Sequence, residues 1–195
     1  RGFPQLVKTP PTKKNDPPTL CYVASGSPHK NHSLIADIMH GLQAKYGDLR
    51  VKLTVSPSSV PALVRRANEL GVLDRIDFMG SMPFGEVLKL MKSSTVILMP
   101  SKLESFGFPY YEAMALELPL VAADKPFARE ACADGALYAP ANDPDAWIGL
   151  IEGLLDKRTT RQALAKKALA RFKDVEIGWD EVARRSLNTL EDLTR

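Results

Sequence analysis

Residues 95–124 read TVILMPSKLESFGFPYYEAMALELPLVAAD, a strand pattern that runs into a glycine-containing loop and then a helix pattern. The apolar run 95–99 is short and is closed by Pro100, which predicts a buried parallel strand. Gly107 lies in the loop, and Pro109 suits the first residue of a helix because an N–H at that position would have no intrahelical partner. The stretch therefore predicts a strand–loop–helix unit.

Two carboxylates, Glu104 and Glu112, lie on either side of Gly107 in this unit. Glycine permits a ligand to approach the backbone closely, and the free N–H groups and dipole at a helix start favour anions. Glu112 falls in or near the first helical turn, where a carboxylate can accept hydrogen bonds from both hydroxyls of a ribose; the alternative is a residue that only complements the helix dipole. We predict a phosphate site flanked by two carboxylates.

The rest of the chain alternates between strand and helix patterns. Strands are predicted near residues 20–24, 51–55, 75–80, 95–99, 118–123 and 136–139, and the chain from residue 143 onward is predicted to be helical. Since parallel neighbours need crossover connections, this order predicts an α/β fold with a doubly wound parallel sheet of about six strands and C-terminal helices. The proline-rich segment 1–18 is interpreted as a linker or arm, and residues 19–195 as one domain.

Composition excludes some function classes. The chain has 195 residues, is 45% hydrophobic and carries a net charge of +3, which is too small to argue for nucleic-acid binding. No apolar run is long enough to span a membrane. The basic segment 157–173 is interpreted as a solvated helix face, with contact with anionic lipid head groups or an acidic acceptor as the alternative. Cys21 and Cys132 lie in buried-looking contexts, which favours reduced core thiols and a cytoplasmic setting.

A second loop, at residues 25–32, reads SGSPHKNH between a strand and a helix. Gly26 and its small neighbours would let the backbone approach a phosphate, and Lys30 would neutralise a diphosphate as a point charge; a solvent-facing lysine is the alternative interpretation. The histidines lack a partner cluster with ligand spacing, so we predict no metal site. Trp147 and Trp179 lie on apolar helical stripes and are expected to pack rather than stack on a ligand.

The run from Glu104 to Glu112 resembles the Glu-x7-Glu signature of retaining glycosyltransferases of family 4, the group 1 transferases with the GT-B fold. The first strand and loop, the sequence FMG at 78–80 and the sequence ALYAP at 136–140 resemble the same family in the same order. The resemblance covers about residues 19–190. It implies one half of a GT-B enzyme, the half that binds the nucleotide sugar, without the acceptor-binding N-terminal domain.

The resemblance also implies roles for particular residues. Glu112 would hold the donor ribose, Lys30 would hold the diphosphate, and Glu104 would orient the donor sugar as the catalytic residue. Backbone amides of Phe106, Gly107 and Phe108 would contact the phosphates or the sugar, and no cofactor or metal ion would be needed. Many family members have an arginine five residues before the loop lysine. That position is Ser25 here, and Arg129 is a candidate substitute.

The expected function is transfer of a hexose from a nucleoside diphosphate sugar to a glycan or lipid-linked acceptor. The acceptor would be bound through the missing domain, and the full-length protein could associate with a membrane at its periphery. Two alternatives stay open at this point: a non-catalytic nucleotide-sugar-binding module, and a nucleotide-sugar epimerase of the same fold.

Overall fold

The computed structural model describes residues 17–175. The predicted arm, except for its last two residues, and the predicted helix from Trp179 onward lie outside the described residues.

Six parallel strands form one sheet in the order β3-β2-β1-β4-β5-β6. The strands are β1 (Thr19–Tyr22), β2 (Arg50–Leu53), β3 (Ile76–Phe78), β4 (Val96–Met99), β5 (Leu120–Ala123) and β6 (Leu137–Ala139). The helices are α1 (Ser33–Leu42), α2 (Pro61–Glu69), α3 (Phe84–Lys92), α4 (Phe108–Ala115), α5 (Pro126–Cys132), α6 (Pro144–Asp156) and α7 (Arg158–Val175). The predicted α/β fold with a doubly wound parallel sheet is confirmed.

The sheet is buried where the sequence is uniformly apolar. Every residue of β4 and β5 is buried, as expected for central parallel strands covered by helices on both faces. Trp147 of α6 is also fully buried, and its indole Nε1 donates a hydrogen bond to the carbonyl of Pro140 at 2.9 Å. Its predicted packing role is therefore confirmed.

The basic helix α7 does more than present charge to solvent. Arg161 donates to the carbonyl of Leu154 at the end of α6, and Arg171 donates to the carbonyls of Glu130 and Ala131 near the end of α5. Both arginines thus satisfy carbonyl groups at helix ends, which lack intrahelical partners. The interpretation of residues 157–173 as simply a solvated face is wrong for these two side chains.

Two further sequence interpretations concern burial and membranes. Cys21 and Cys132 are fully buried and not disulfide-bonded, and burial raises the pKa of each thiol to about 12. Among residues 17–175, no helix is both long and apolar enough to cross a membrane.

The strand order reverses between β1 and β4. In an open α/β sheet this reversal leaves a crevice beyond the carboxyl ends of the two strands, because their connections leave in opposite directions. The loop after β1 carries Lys30 and the loop after β4 carries Glu104, so the fold brings the two stretches singled out in the sequence to the same crevice.

Candidate functional site

An ion pair between Lys30 and Glu104 lies at this crevice. Lys30 Nζ is 2.7 Å from both Oε1 and Oε2 of Glu104. The two side chains are only 16% and 8% exposed. Both residues were predicted as site residues, and the structure brings them into direct contact although they are 74 positions apart. Sequence reasoning placed them on different parts of a ligand and did not predict the pair.

Backbone and side-chain bonds hold the two loops together. Asn31 adopts a left-handed conformation with φ of 58°, which asparagine tolerates better than most residues. Its Nδ2 donates to the carbonyl of Pro100 at 3.3 Å and to that of Ala141 at 2.8 Å. The amide of Lys102 donates to the carbonyl of His29 at 2.8 Å. The loops after β1, β4 and β6 therefore form one connected unit around the ion pair.

Tyr22 and Ser101 are two buried residues that contact this unit from the core side of the loops. Tyr22 is the last residue of β1, and its hydroxyl lies 2.9 Å from the carbonyl oxygen of Lys30 and 2.8 Å from Ser101 Oγ. Both side chains are fully buried. We call Tyr22, Lys30, Asn31, Ser101 and Glu104 the switch-point cluster. Sequence reasoning missed its three uncharged members, since no local pattern distinguishes them from ordinary core or loop residues.

His32 borders the switch-point cluster and is 5% exposed. Its ring centroid lies 5.0 Å from that of Tyr22, and its Nε2 is buried without a hydrogen-bond partner in the described part of the chain. Burial, together with the nearby charge of Lys30, lowers the pKa of His32 to about 4. The side chain is therefore neutral at physiological pH.

Gly107 shapes the start of α4. Its φ is +73°, and a Cβ at this position would lie 2.6 Å from Cδ2 of the buried Tyr110 ring and 3.8 Å from Cβ of Glu104. Any side chain would therefore be strained by its backbone conformation and would overlap the ring. The helix begins at Phe108, one residue before the predicted start at Pro109. Proline has no N–H, and the N–H of Tyr110 donates to the carbonyl of Gly107 at 2.9 Å, so the N–H of Phe108 is the one at this helix start that lacks an intrahelical partner.

Phe106 and Phe108 project from this loop and are 57% and 60% exposed. Their ring centroids are 4.7 Å apart, and the ring of Tyr111 stacks on Phe106 at 5.1 Å. The side chains thus lie on the surface beside the crevice. The expected contacts from the backbone amides of Phe106, Gly107 and Phe108 to a phosphate stay a prediction.

Glu112 is the fifth residue of α4, one position beyond the first turn. It is partly buried, and no hydrogen bond or ion pair engages its carboxylate among residues 17–175. Burial raises the pKa of this carboxyl above its usual range. A half-buried carboxylate without a protein partner is available to accept hydrogen bonds from a ligand.

A cavity of about 410 Å³ opens at the same edge of the sheet, beyond β1, β2 and β3. We call it the hydroxyl cavity. Its lining is Ala24, Ser25, Gly26, Thr54, Val55, Ser56, Ser59, Ser81, Met82 and Val87. These residues are all uncharged, and hydroxyl-bearing side chains make up half of them. The cavity shares Ser25 and Gly26 with the loop that leads to Lys30, so it adjoins the switch-point cluster.

Arg129 does not stand free as a substitute cation. Its guanidinium makes two hydrogen bonds to the carboxylate of Asp124, and it lies over the ring of Tyr138 at 4.5 Å from the centroid. Ser25 itself shares a hydrogen bond with Ser27 at 3.0 Å. Of the two basic residues considered for the diphosphate, Lys30 contacts Glu104 at the crevice, whereas Arg129 is paired with Asp124.

The sequence matches the family model for glycosyl transferases group 1 over residues 6–171. The chain belongs to this family. The resemblance inferred from the motif series is therefore confirmed, and the fold is the one expected for a domain of a group 1 glycosyl transferase.

Known relatives of this glycosyl transferase domain are longer than the chain. The D-inositol 3-phosphate glycosyltransferase of Frankia alni is 31% identical over 176 residues, which cover 85% of this chain and 43% of that protein. The chain thus spans less than half the length of this relative. The O-antigen chain mannosyltransferase RfbU of Salmonella typhimurium is 31% identical over 86 residues, covering 44% of this chain and 24% of that protein.

Solved structures share the fold of this glycosyl transferase domain. Anabaena Alr3699/HepE in complex with UDP-glucose superposes with a TM-score of 0.78 at 19% identity, over 91% of this chain and 49% of that one. The C-terminal domain of the glycosyl transferase group 1 family protein LpcC from Francisella tularensis has a TM-score of 0.70 at 16% identity, over 85% of this chain and 87% of that domain.

Proposed function

We propose that this chain is the donor-binding domain of a retaining glycosyltransferase that transfers a hexose from a nucleoside diphosphate sugar. The observation that carries the proposal is the Lys30–Glu104 pair beside the start of α4, at the switch point of a group 1 glycosyl transferase domain. Binding of UDP-glucose by a protein of the same fold supports the ligand class. A glycan or lipid-linked acceptor would be bound by a part of the enzyme beyond this chain.

The donor would extend along the carboxyl edge of the sheet. The diphosphate would lie between Lys30 Nζ and the start of α4, where a cation, the N–H of Phe108 and the helix dipole all favour anions. The ribose would lie against the unpaired carboxylate of Glu112, and the base would enter the hydroxyl cavity, whose uncharged lining suits a neutral heterocycle. The hexose would then lie beside Glu104.

Leaving-group stabilisation is the chemistry that these groups support. As the bond between sugar and phosphate breaks, negative charge accumulates on the departing diphosphate, and groups already oriented toward it stabilise the transition state. Lys30 would share its charge between Glu104 and the diphosphate. The carboxylate of Glu104 orients Lys30 and would also accept hydrogen bonds from the transferred sugar. We propose that this arrangement operates without a metal ion.

A non-catalytic nucleotide-sugar-binding module is the second candidate. Two observations favour it. Glu104 already neutralises the positive charge of Lys30, and Ser25 stands where a second cation would strengthen the diphosphate site. We expect this 195-residue chain to show no transfer activity by itself under either proposal. The two proposals differ in whether the longer enzyme that contains this domain turns over donor.

Calorimetric titration of the purified chain with UDP, GDP and ADP tests the donor site. The variant Glu112→Ala should weaken binding of the preferred nucleotide by about tenfold, since a hydrogen bond to a charged group contributes about 1.5–3 kcal/mol. Glu130→Ala is the matched control, because Glu130 is an exposed carboxylate on another helix, α5. A 2′-deoxy nucleotide should bind wild type more weakly but should bind Glu112→Ala and wild type about equally.

Failure of all three nucleotides to bind at millimolar concentration would refute the donor site. Equal affinity of wild type and Glu112→Ala would instead refute only the role of Glu112. Turnover of a nucleotide sugar by this chain alone would contradict the expectation that the rest of the enzyme is required.

A further inference from the structure

The hydroxyl group of Tyr22 occupies a point where the two loops of the switch-point cluster meet. It contacts the carbonyl oxygen of Lys30 on one side and the hydroxyl of Ser101 on the other. We propose that Tyr22 is a positioning residue, which sets the place of Lys30 through the Lys30 backbone so that Nζ faces Glu104 and the donor's diphosphate. The part concerning the diphosphate rests on the function proposed above.

The direction of both hydrogen bonds follows from simple chemistry. A carbonyl oxygen can only accept, so Tyr22 donates its single hydroxyl proton to the Lys30 carbonyl. The oxygen of Tyr22 must then accept the proton of Ser101, which lies two residues beyond the end of β4. The chain of bonds runs from Ser101 to Tyr22 to Lys30. The loop that carries Glu104 is thereby connected to the residue that Glu104 binds.

Local structure alone holds Lys30 weakly. The residue closes a single 3₁₀ turn, Pro28–Lys30, whose internal bonds are Lys30 N to Ser27 O and Asn31 N to Pro28 O. One such turn is not stable in isolation. Bonds from other parts of the fold reach the neighbouring residues His29 and Asn31, whereas the Tyr22 hydroxyl reaches Lys30 itself.

The lysine side chain makes this backbone position important. Lysine is a point charge on a flexible four-carbon stem, so its ammonium group is placed by the backbone from which it extends and by the partner at its end. Tyr22 is fully buried, its hydroxyl holds the Lys30 carbonyl at 2.9 Å, and Nζ reaches both oxygens of Glu104 at 2.7 Å. Without the Tyr22 hydroxyl, the turn would be free to shift, and the ammonium group would spend time away from the crevice.

Tyr110 provides a matched control for Tyr22. Both tyrosines are buried next to the same crevice, with 0% and 1% of their surfaces exposed. The Tyr110 hydroxyl, however, has no hydrogen-bond partner in the described part of the chain. Tyr22→Phe and Tyr110→Phe thus remove the same atom from similar surroundings, and only the first removes a contact with Lys30.

The first experiment measures the accessibility of the Lys30 amine without any ligand. The 195-residue chain is treated briefly with acetic anhydride, and acetylation of Lys30 is quantified by mass spectrometry relative to the exposed Lys102. Tyr22→Phe should raise the relative rate at Lys30 by about two- to tenfold, because the hydrogen bond that holds the Lys30 carbonyl is lost. Tyr110→Phe should leave the rate at the wild-type value. An unchanged rate in a folded Tyr22→Phe variant overturns the proposal.

Ser101→Ala keeps the test decisive if Tyr22→Phe does not fold. This variant removes the donor that orients Tyr22 but leaves the bond from Tyr22 to Lys30, so it should raise the Lys30 rate by a smaller factor. A rate equal to wild type in Ser101→Ala would overturn the connection between the two loops.

The second experiment asks whether Tyr22 acts on UDP through Lys30. In an otherwise wild-type chain, Tyr22→Phe should weaken UDP binding by about fivefold; in a Lys30→Met background it should have no further effect, since the group that it positions is gone. An equal loss in both backgrounds would indicate a general structural role and would overturn the proposal. If wild type does not bind UDP, the proposed function fails, and the acetylation rates alone decide the role of Tyr22.

Discussion

The switch-point cluster and the hydroxyl cavity share one edge of the sheet but are built in opposite ways. In the cluster, a partly buried ion pair is held by hydrogen bonds that connect the loops after β1, β4 and β6. The cavity is lined by uncharged groups. Its hydroxyl pairs, Ser25 with Ser27 and Ser56 with Ser58, lie within single loops, and the hydroxyl of Thr54 bonds across to the backbone of Ala24. The cluster is thus a charged site held by bonds among three loops, and the cavity is a neutral one whose hydroxyl groups are mostly exposed.

This difference indicates how the two regions should respond to change. Charge that is removed from water needs fixed partners, so altering the cluster should affect stability and ligand affinity together. Exposed hydroxyl groups keep their contacts with water when a neighbour moves. Changes in the cavity should therefore affect ligand preference with a smaller loss of stability.

The largest effect is expected for Gly107→Ala in the loop of the cluster. A positive φ of 73° and a Cβ placed 2.6 Å from the Tyr110 ring both oppose the substitution. Together they should lower the free energy of unfolding by about 3 kcal/mol, measured by urea denaturation. Gly153→Ala is the control: its Cβ would meet no atom within 4 Å, so the helix α6 should be unchanged or slightly stabilised. Similar stability of both variants would contradict the account of Gly107.

Lys30→Met should lower stability by about 2 kcal/mol, because it leaves the nearly buried carboxylate of Glu104 without a cation. Adding Glu104→Gln should restore most of this loss, since neither charge then remains. The double variant should still bind UDP more weakly than the wild type. Calorimetry and urea denaturation on the two variants separate the effects, and normal UDP affinity in the double variant would show that the pair has no part in diphosphate binding.

His32 makes the cluster sensitive to acid. Its pKa is about 4 in the folded chain, below its usual value, so the unfolded chain binds a proton first as the pH falls. Stability should drop by about 2–3 kcal/mol between about pH 6.5 and pH 4. His32→Phe retains a ring against Tyr22 and should remove this part of the pH dependence in denaturation curves. An unchanged curve would mean that other groups cause the loss.

The smallest effect is expected for Gly26→Ala at the border of the cavity. Its Cβ would also lie 2.6 Å from another atom, the backbone carbonyl oxygen of Ser59, but its φ is not positive and Ser59 lies in an exposed single 3₁₀ turn, Pro57–Ser59. This turn has to move to make room, so stability should fall by about 1–2 kcal/mol, less than for Gly107→Ala. The relative affinity for UDP, GDP and ADP should change by more, in free energy, than the stability does. A loss of stability as large as that of Gly107→Ala would erase the proposed difference between the two regions.

Much of the fold could be predicted from local patterns. The continuous apolar runs of β4 and β5 predicted buried parallel strands, and the alternation of strands and helices predicted the doubly wound sheet. Pro109 marked the start of α4 to within one residue, since the helix begins at Phe108. These predictions succeed because strand and helix periodicity is a property of neighbouring residues.

The candidate site was predicted less completely. Gly107, Glu104 and Lys30 were singled out because they follow strands, and the structure places them at one crevice. The contacts among them were not predictable, since their loops are separated by more than 70 positions in the chain. Arg129 was considered as a ligand cation because it follows a strand end, although the structure pairs it with Asp124, five positions earlier.

By itself, the sequence determined the order of strands and helices, the glycine and proline that shape the loop before α4, and membership in the group 1 glycosyl transferases. Only the tertiary structure decided that Lys30 binds Glu104, that Tyr22 and Ser101 connect their loops, and that Tyr110 does not. The physical reason is distance along the chain: periodicity and turn chemistry act between neighbours, whereas burial and hydrogen bonding in the crevice depend on which strands lie side by side.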